Sequence, residues 1–396
     1  MAVAFVPSGS AGARRGRVRC GNDAVCVRRA SRVTLGSRLA RRSVVTALAL
    51  RDGDGDDGGD AYDDIAKSLA QEFGVQTDAD RGAGDLAGGV GSGYAAGAVL
   101  AGVPLPVVDD VVVVGTGKNG MQTVTLDHAA SSQKVTLYTF GATLTSWTTR
   151  GGSVEVFFLS DVAVFDAQKP IRGGIPICFP QFGPGPEMRQ HGFCRDSQWK
   201  IKERSVMPDG SVACVLGLSS ADKLESFGGW ADDKAFELEY SVILSYAGLE
   251  TSLRVRNTGA APFSFTSAFH NYFRVSDVSQ ARIYGLENTS FVDKLNNNEE
   301  GVRGDDGGAG VSIEEPTDRM HFATPDELAM FDFQNLRLLK LKKTPTLPDA
   351  TVWNPYGADG CDPGWRSFVC VEPAALKPVT IEPAAEWLGG QLLAVD

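Results

Sequence analysis

Residues Phe236–Tyr246 (FELEYSVILSY) and Leu249–Asn257 (LETSLRVRN) alternate apolar and polar residues with a period of two. Phe236, Leu238, Tyr240, Val242 and Leu244 fall on one side of the first run. Leu249, Leu253 and Val255, with Thr251 between them, fall on one side of the second. Successive side chains of a strand point to opposite faces, so this spacing buries one face of a sheet and does not suit a helix. Ala247 and Gly248 read as a two-residue hairpin connection. The same texture runs from about Met121 to the C-terminus. It includes QTVTL at 122–126, KVTLYTFGATLTSW at 134–147 and VEVFFL at 154–159. Further strands are expected at Phe263–Val275, Ala281–Leu286, Glu327–Phe333, Leu336–Leu341, Ser367–Val371, Val379–Ile381 and Gly390–Val395. No long helical pattern interrupts them. We therefore expect an all-β fold, a large antiparallel β-sandwich forming one domain over residues 111–396. Asn296–Gly310 (NNNEEGVRGDDGGAG) reads as a surface loop insertion.

The N-terminal part has a different composition. Residues 1–51 hold eleven Arg, no Lys and a single acid, Asp23, for a charge of +10. With a net charge of -11 overall, the other 345 residues carry -21. The basic, acid-poor start fits an organelle transit peptide, chloroplast ahead of mitochondrion, against the plainer alternative of a basic tail. Residues 52–110 open on DGDGDDGGDAYDD and continue rich in Gly and Ala, which reads as a disordered linker. An acidic body argues against nucleic acid or an anionic membrane as partner. No stretch approaches the length of a membrane span. Seven Cys lack CxxC spacing, and Cys178, Cys194, Cys214, Cys361 and Cys370 read as reduced thiols.

Arg172–Asp196 (RGGIPICFPQFGPGPEMRQHGFCRD) is dense in Gly and Pro, which excludes a long helix and disfavours a central strand. Such a run forms a folded loop presenting Arg172, Gln190, His191 and Arg195 from a rigid frame. Two guanidiniums there suggest a site for phosphate or carboxylate. An ordinary salt bridge to one of the many acids is the competing reading.

Chemistry-bearing residues are few. Of the four histidines, His128, His191, His270 and His321, only His270 (AFHNYF) sits where strand alternation turns it off the greasy face of Phe263, Phe265 and Phe269. That alternation places it on a mixed surface of small residues. Imidazole there can pass a proton near neutral pH. Glu372 interrupts the apolar strand FVCVEP, and a carboxylate at a buried strand end needs a partner or a role. Glu382 (TIEP) stands in the same context, and pattern alone does not separate them. Asp318 (PTDRM) could accept hydrogen bonds from hydroxyls or serve as a turn residue. Trp353, in VWNP, packs more often than it binds. Walker, GxSxG, HExxH and Cys/His metal patterns are absent from the sequence, so no cofactor and no metal is implied.

Six motifs occur in order: RGGIP at 172–176, FPQFGP at 179–184, QHGFCR at 190–195, AFHNYF at 268–273, VWNP at 352–355 and VCVEPA at 369–374. Together they resemble the glucose-6-phosphate 1-epimerases, or hexose-6-phosphate mutarotases, of the aldose 1-epimerase superfamily, in a plant-like form similar to apospory-associated protein C. The resemblance spans about residues 115–396 and implies the galactose mutarotase-like β-sandwich. It implies His270 and Glu372 as the catalytic pair, which selects Glu372 over Glu382. It implies Arg172 and Arg195 as phosphate ligands and Gln190 and Asp318 as sugar ligands. The implied activity is interconversion of the α and β anomers of glucose 6-phosphate by acid–base ring opening, and nothing in the sequence demands more than a monomer. Alternatives are a 1-epimerase for unphosphorylated sugars and a non-catalytic carbohydrate-binding sandwich. Cys194 replaces a residue that is usually Ala in this pattern, and Asn271 one that is often Thr.

Overall fold

The computed structural model describes residues 105–185, 188–304 and 307–396. The expected transit peptide and nearly all of the expected linker lie outside the described residues. One helical turn, α1 (Val108–Val111), leads into a five-stranded antiparallel meander. Its strands are β1 (Val112–Thr116), β2 (Gln122–His128), β3 (Gln133–Tyr138), β4 (Leu144–Thr149) and β5 (Val154–Glu155). The run at 134–147 is thus two strands, broken where Gly141 and Ala142 take positive φ.

After β6 (Ile177–Cys178), the chain forms β7 (Lys200–Val206), β8 (Val212–Ser219), β9 (Phe236–Ser245) and β10 (Gly248–Asn257) as successive antiparallel neighbours. It continues through β11 (Phe263–Phe269), β12 (Tyr272–Arg274), β13 (Ala281–Tyr284), β14 (Ser290–Asp293), β15 (Glu299–Val302) and β16 (Thr317–Phe322). The last strands are β17 (Glu327–Asp332), β18 (Arg337–Lys343), β19 (Asp349–Asn354), β20 (Phe368–Ile381) and β21 (Glu386–Val395). These make two eight-stranded sheets. One runs β13-β17-β18-β21-β10-β9-β8-β7. The other runs β15-β14-β16-β19-β20-β11-β6, with β12 beside β20. One core cluster draws on all three sheets, through Leu126, Tyr240, Phe265 and Val352 among others, so sheet covers sheet as expected.

The alternation in β9 and β10 is borne out: the named residues are buried. The hairpin turn sits one residue earlier than expected. Gly248 already pairs with Ser245, which leaves Tyr246 and Ala247 as the turn. Gly248 lies in the strand at φ 126, where a Cβ would come within 2.0 Å of the Leu393 carbonyl of β21, so close backbone approach and not the turn requires the glycine. The segment taken as a loop insertion contains β15, paired with β14. All five described cysteines are free thiols.

Candidate active site

Strand register assembles the site. Val369 and Val371 of β20 enter the core cluster, which turns Cys370 and Glu372 to the opposite face. Across that face Asp318 of β16 stands opposite Trp353 of β19, Trp353 opposite Cys370, and Cys370 opposite Tyr272 of β12. Four strands therefore place one row of side chains beside Glu372. His270 follows β11 and faces this row. Its ring stacks on Tyr272, with centroids 4.7 Å apart and planes 6° apart, and meets Trp353 edge-on at 5.9 Å. The expected surroundings of small residues are corrected: aromatic rings enclose His270, which is 7% exposed.

The Gly- and Pro-rich loop is clamped along the edge of the same sheet. β6 pairs with β11, Ala268 opposite Cys178. The backbone N–H of His270 donates to Pro176 O (3.0 Å), that of Tyr272 to Gly174 O (2.8 Å), and that of Phe182 to Thr266 Oγ1 (2.7 Å). Gly174 has φ 65, and a Cβ there would lie 1.7 Å from the Leu144 carbonyl. Only glycine permits that approach. His191 is a buried framework residue: its Nδ1 accepts from Gly183 N–H (3.1 Å), and its ring meets that of His270 at 5.3 Å. Burial and the nearby Arg195 hold its pKa down to about 3. Its Nε2 lies 3.2 Å from Gln190 Nε2. His128 and His321 likewise bond hydroxyls, of Ser131 and Thr289.

Glu372 is 1% exposed, whereas Glu382 is exposed beyond the end of β20, so the structure separates the two carboxylates that pattern could not. His270 Nδ1 lies 3.5 Å from Glu372 Oε1. His270 Nδ1 and Glu372 Oε2 are both buried without a hydrogen-bond partner. Burial raises the Glu372 pKa well above the ordinary carboxylate value, with the Asp318 charge adding to the rise and Lys294 and Arg195 opposing it. Burial also drives His270 well below the ordinary imidazole value. Burial thus disfavours the charged form of both groups.

The four other predicted residues lie around this pair. Arg195 Nη2 donates to the Gln190 carbonyl (2.7 Å), while its Nε is buried and unpartnered. Gln190 is exposed at the rim. Arg172 is 42% exposed and its Nε meets the buried carboxylate of Asp362 at 2.8 Å. The salt-bridge reading thus holds for one edge of Arg172, and Asp362 aims it. Arg172, Arg195 and Glu372 all act electrostatically on Tyr272, so they share one neighbourhood. Asp318 accepts from Lys294 Nζ at 2.7 Å. Lys294 also lies 5.5 Å from the Phe182 ring centre, bridging β16 and the loop. Sequence reasoning missed Lys294, Tyr272, Asp362 and Cys370. Lys294 and Asp362 lie in polar turns without a motif, and Tyr272 and Cys370 stand inside quoted motifs as apparent packing residues. Among the described residues, one trio could hold a metal: ligand atoms of His270, Cys370 and Glu372 lie within 4.8 Å of one another.

A β-sandwich with a buried His–Glu pair beside Arg195 has the side chains of an acid–base site. The family model described as Aldose 1-epimerase matches residues 122–393, and the chain belongs to that family of epimerase isomerases. A Cenchrus ciliaris protein named "Putative glucose-6-phosphate 1-epimerase" is 35% identical over 283 residues, covering 68% of this chain and 84% of that protein. An Escherichia coli protein of the same name is 30% identical over 281 residues, covering 68% and 89%. A solved Salmonella typhimurium structure described as a "putative mutarotase" superposes with a TM-score of 0.61 at 26% identity, covering 72% of this chain and 96% of that one. A galactose mutarotase-like protein from Clostridium acetobutylicum shares the fold, with a TM-score of 0.60 at 15% identity over 72% of this chain and 99% of that one.

Proposed function

We propose that the protein interconverts the α and β anomers of a hexose 6-phosphate, glucose 6-phosphate first among them. The observation that carries this reading is the buried His270–Glu372 pair with the charge of Arg195 acting on both and that of Arg172 on the adjoining Tyr272. Anomers interchange by opening and reclosing the ring at C1–O5. Glu372, ionised, takes the proton of the C1 hydroxyl, the C1–O5 bond breaks with its electron pair on O5, and His270, as imidazolium, protonates O5. The aldehyde turns about C1–C2. His270 then takes the O5 proton back, O5 attacks the other face of C1, and Glu372 returns its proton to the former carbonyl oxygen. Unlike groups, one an acid and one a base at the same pH, suit this exchange. While the ring is open the pair holds a protonated Glu372 and a neutral His270. Burial shifts both groups in the direction of that arrangement.

Asp318, held by Lys294, and Gln190 bind ring hydroxyls in this reading. Arg172 and Arg195 supply the anion site. A charge-assisted hydrogen bond contributes about 1.5–3 kcal/mol. Arg195→Ala should therefore lower kcat/KM for glucose 6-phosphate by about ten- to hundredfold and leave glucose nearly unaffected. Equal rates of the wild-type enzyme on both sugars would overturn the phosphate reading in favour of an aldose 1-epimerase for free sugars. We further propose that residues 1–51 direct the protein to the chloroplast and that it acts as a monomer. Import of a reporter fused to residues 1–51 tests the first, and a sedimentation mass above that of one chain would contradict the second.

A further inference from the structure

The trio of His270, Cys370 and Glu372 has a chemistry that ring opening does not use. Cys370 and Glu372 are two residues apart on β20, so both side chains leave the same face of the strand. Cys370 is fully buried, and its register partner is Tyr272, the residue on which His270 stacks. The three offer one sulfur, one nitrogen and one carboxylate oxygen, all within 4.8 Å of one another. Two of the residues carry buried polar atoms with no partner, His270 Nδ1 and Glu372 Oε2. Both therefore have unused capacity to bind a ligand.

We propose that these three side chains form an inhibitory site for a borderline or soft divalent cation of the zinc class. Thiolate with imidazole and a carboxylate is a donor set that favours zinc over magnesium or calcium, which take oxygen ligands. Metal–ligand bonds of about 2.0–2.3 Å in a tetrahedron put ligand atoms about 3.8 Å apart or less. The trio thus has to close by about an ångström, within reach of side-chain rotation. Three protein ligands leave a fourth position for water. Binding displaces the thiol and carboxyl protons to solvent, and the resulting thiolate and carboxylate balance the two charges of the cation. A metal held by His270 and Glu372 denies both to the sugar. This competition rests on the reaction being placed at those two residues, whereas the metal site itself does not.

The test is a titration of the full-length protein with Co²⁺, which reports tetrahedral geometry in the visible and thiolate ligation in the near ultraviolet. The expected result is one ion bound with a thiolate-to-cobalt band that Zn²⁺ displaces. Cys370→Ser should lose the band, and Cys214→Ser, in the core away from the site, should keep it. Glu372→Gln should keep the band and bind at least about tenfold more weakly. A wild-type spectrum without a thiolate band, a band that survives in Cys370→Ser, or unchanged affinity in Glu372→Gln would each overturn the proposal. Should Cys370→Ser fail to fold, the Glu372→Gln arm decides. Glucose 6-phosphate should weaken Co²⁺ binding; a band present but indifferent to sugar phosphate would reject the competition and leave the metal site standing.

Discussion

Behind the His270–Glu372 pair lies a buried amide pair whose removal makes a sharp prediction. Asn271 Nδ2 donates to Gln391 Oε1 (2.8 Å), and Gln391 Nε2 donates to Asn271 Oδ1 (2.9 Å). Asn271 Nδ2 also donates to the carbonyl of Val371 (3.0 Å), and Gln391 Nε2 to Thr251 Oγ1 (3.2 Å). All three side chains are 3% exposed or less. The network ties the residue after His270 to the residue before Glu372, and both to β21 and β10. Asn271→Ala leaves Gln391 Oε1 and the Val371 carbonyl without these donors. Each buried group so orphaned costs about 1–3 kcal/mol, or about 2–6 kcal/mol together. For a domain of this size that lowers Tm by about 2–4 °C per kcal/mol, on the order of 10 °C. Gln391→Ala orphans Asn271 Oδ1 and should cost about 1–3 kcal/mol. The double variant removes the amide pair whole, so it should be less damaging than the sum of the singles by at least about 1 kcal/mol. Urea unfolding of the four proteins measures this cycle. Additivity within about 0.5 kcal/mol would refute the reasoning.

Three further outcomes follow from the geometry. Gly174→Ala meets the Leu144 carbonyl at positive φ and should cost at least about 3 kcal/mol, while Gly183→Ala, at φ 77 with nothing within 4 Å of a Cβ, should lose far less; equal Tm losses would contradict this. His191 and His321 are held down to about 3 and 4 by burial, against an ordinary 6.5. The unfolded chain therefore takes up these protons first, and stability that is full above about pH 6.5 falls as the pH drops from there toward 4, by up to about 1.4 kcal/mol per pH unit for each group. His191→Asn should flatten the slope of urea midpoints with pH; an unchanged slope would refute the assignment. Lys294 opposes the rise in both the Asp318 and the Glu372 pKa, so Lys294→Met should move the acid limb of the kcat/KM–pH profile to higher pH, and a limb that stays put would remove Lys294 from the site.

What the sequence revealed depended on how each element is buried. β9 and β10 expose one face and alternate cleanly, so they were legible. β8 (VACVLGLS) is buried or half-buried at every position and carries no alternation, and β16 (TDRMHF) is short and polar; neither stood out. β20 looked like two strands because Pro373 and Pro378 interrupt it. The chain stays extended through both, and its pairing with β11 shifts between Phe265 and Ser267. The site was partly legible for a similar reason. Glu372 and His270 stood out as polar residues in apolar strands. Lys294 and Asp362 sit in polar turns, where a charged residue is unremarkable, and only the register of β16 and the fold of the Arg172 loop bring them to the site.

The most direct test of the central claim is exchange spectroscopy on glucose 6-phosphate at anomeric equilibrium, comparing the wild-type enzyme with Glu372→Gln and His270→Gln. The account predicts rapid exchange between the two anomeric resonances in the wild type. It predicts a loss of about 10²–10⁴-fold in each variant, with phosphate binding through Arg172 and Arg195 retained. Exchange in Glu372→Gln within a few-fold of wild type would contradict the account.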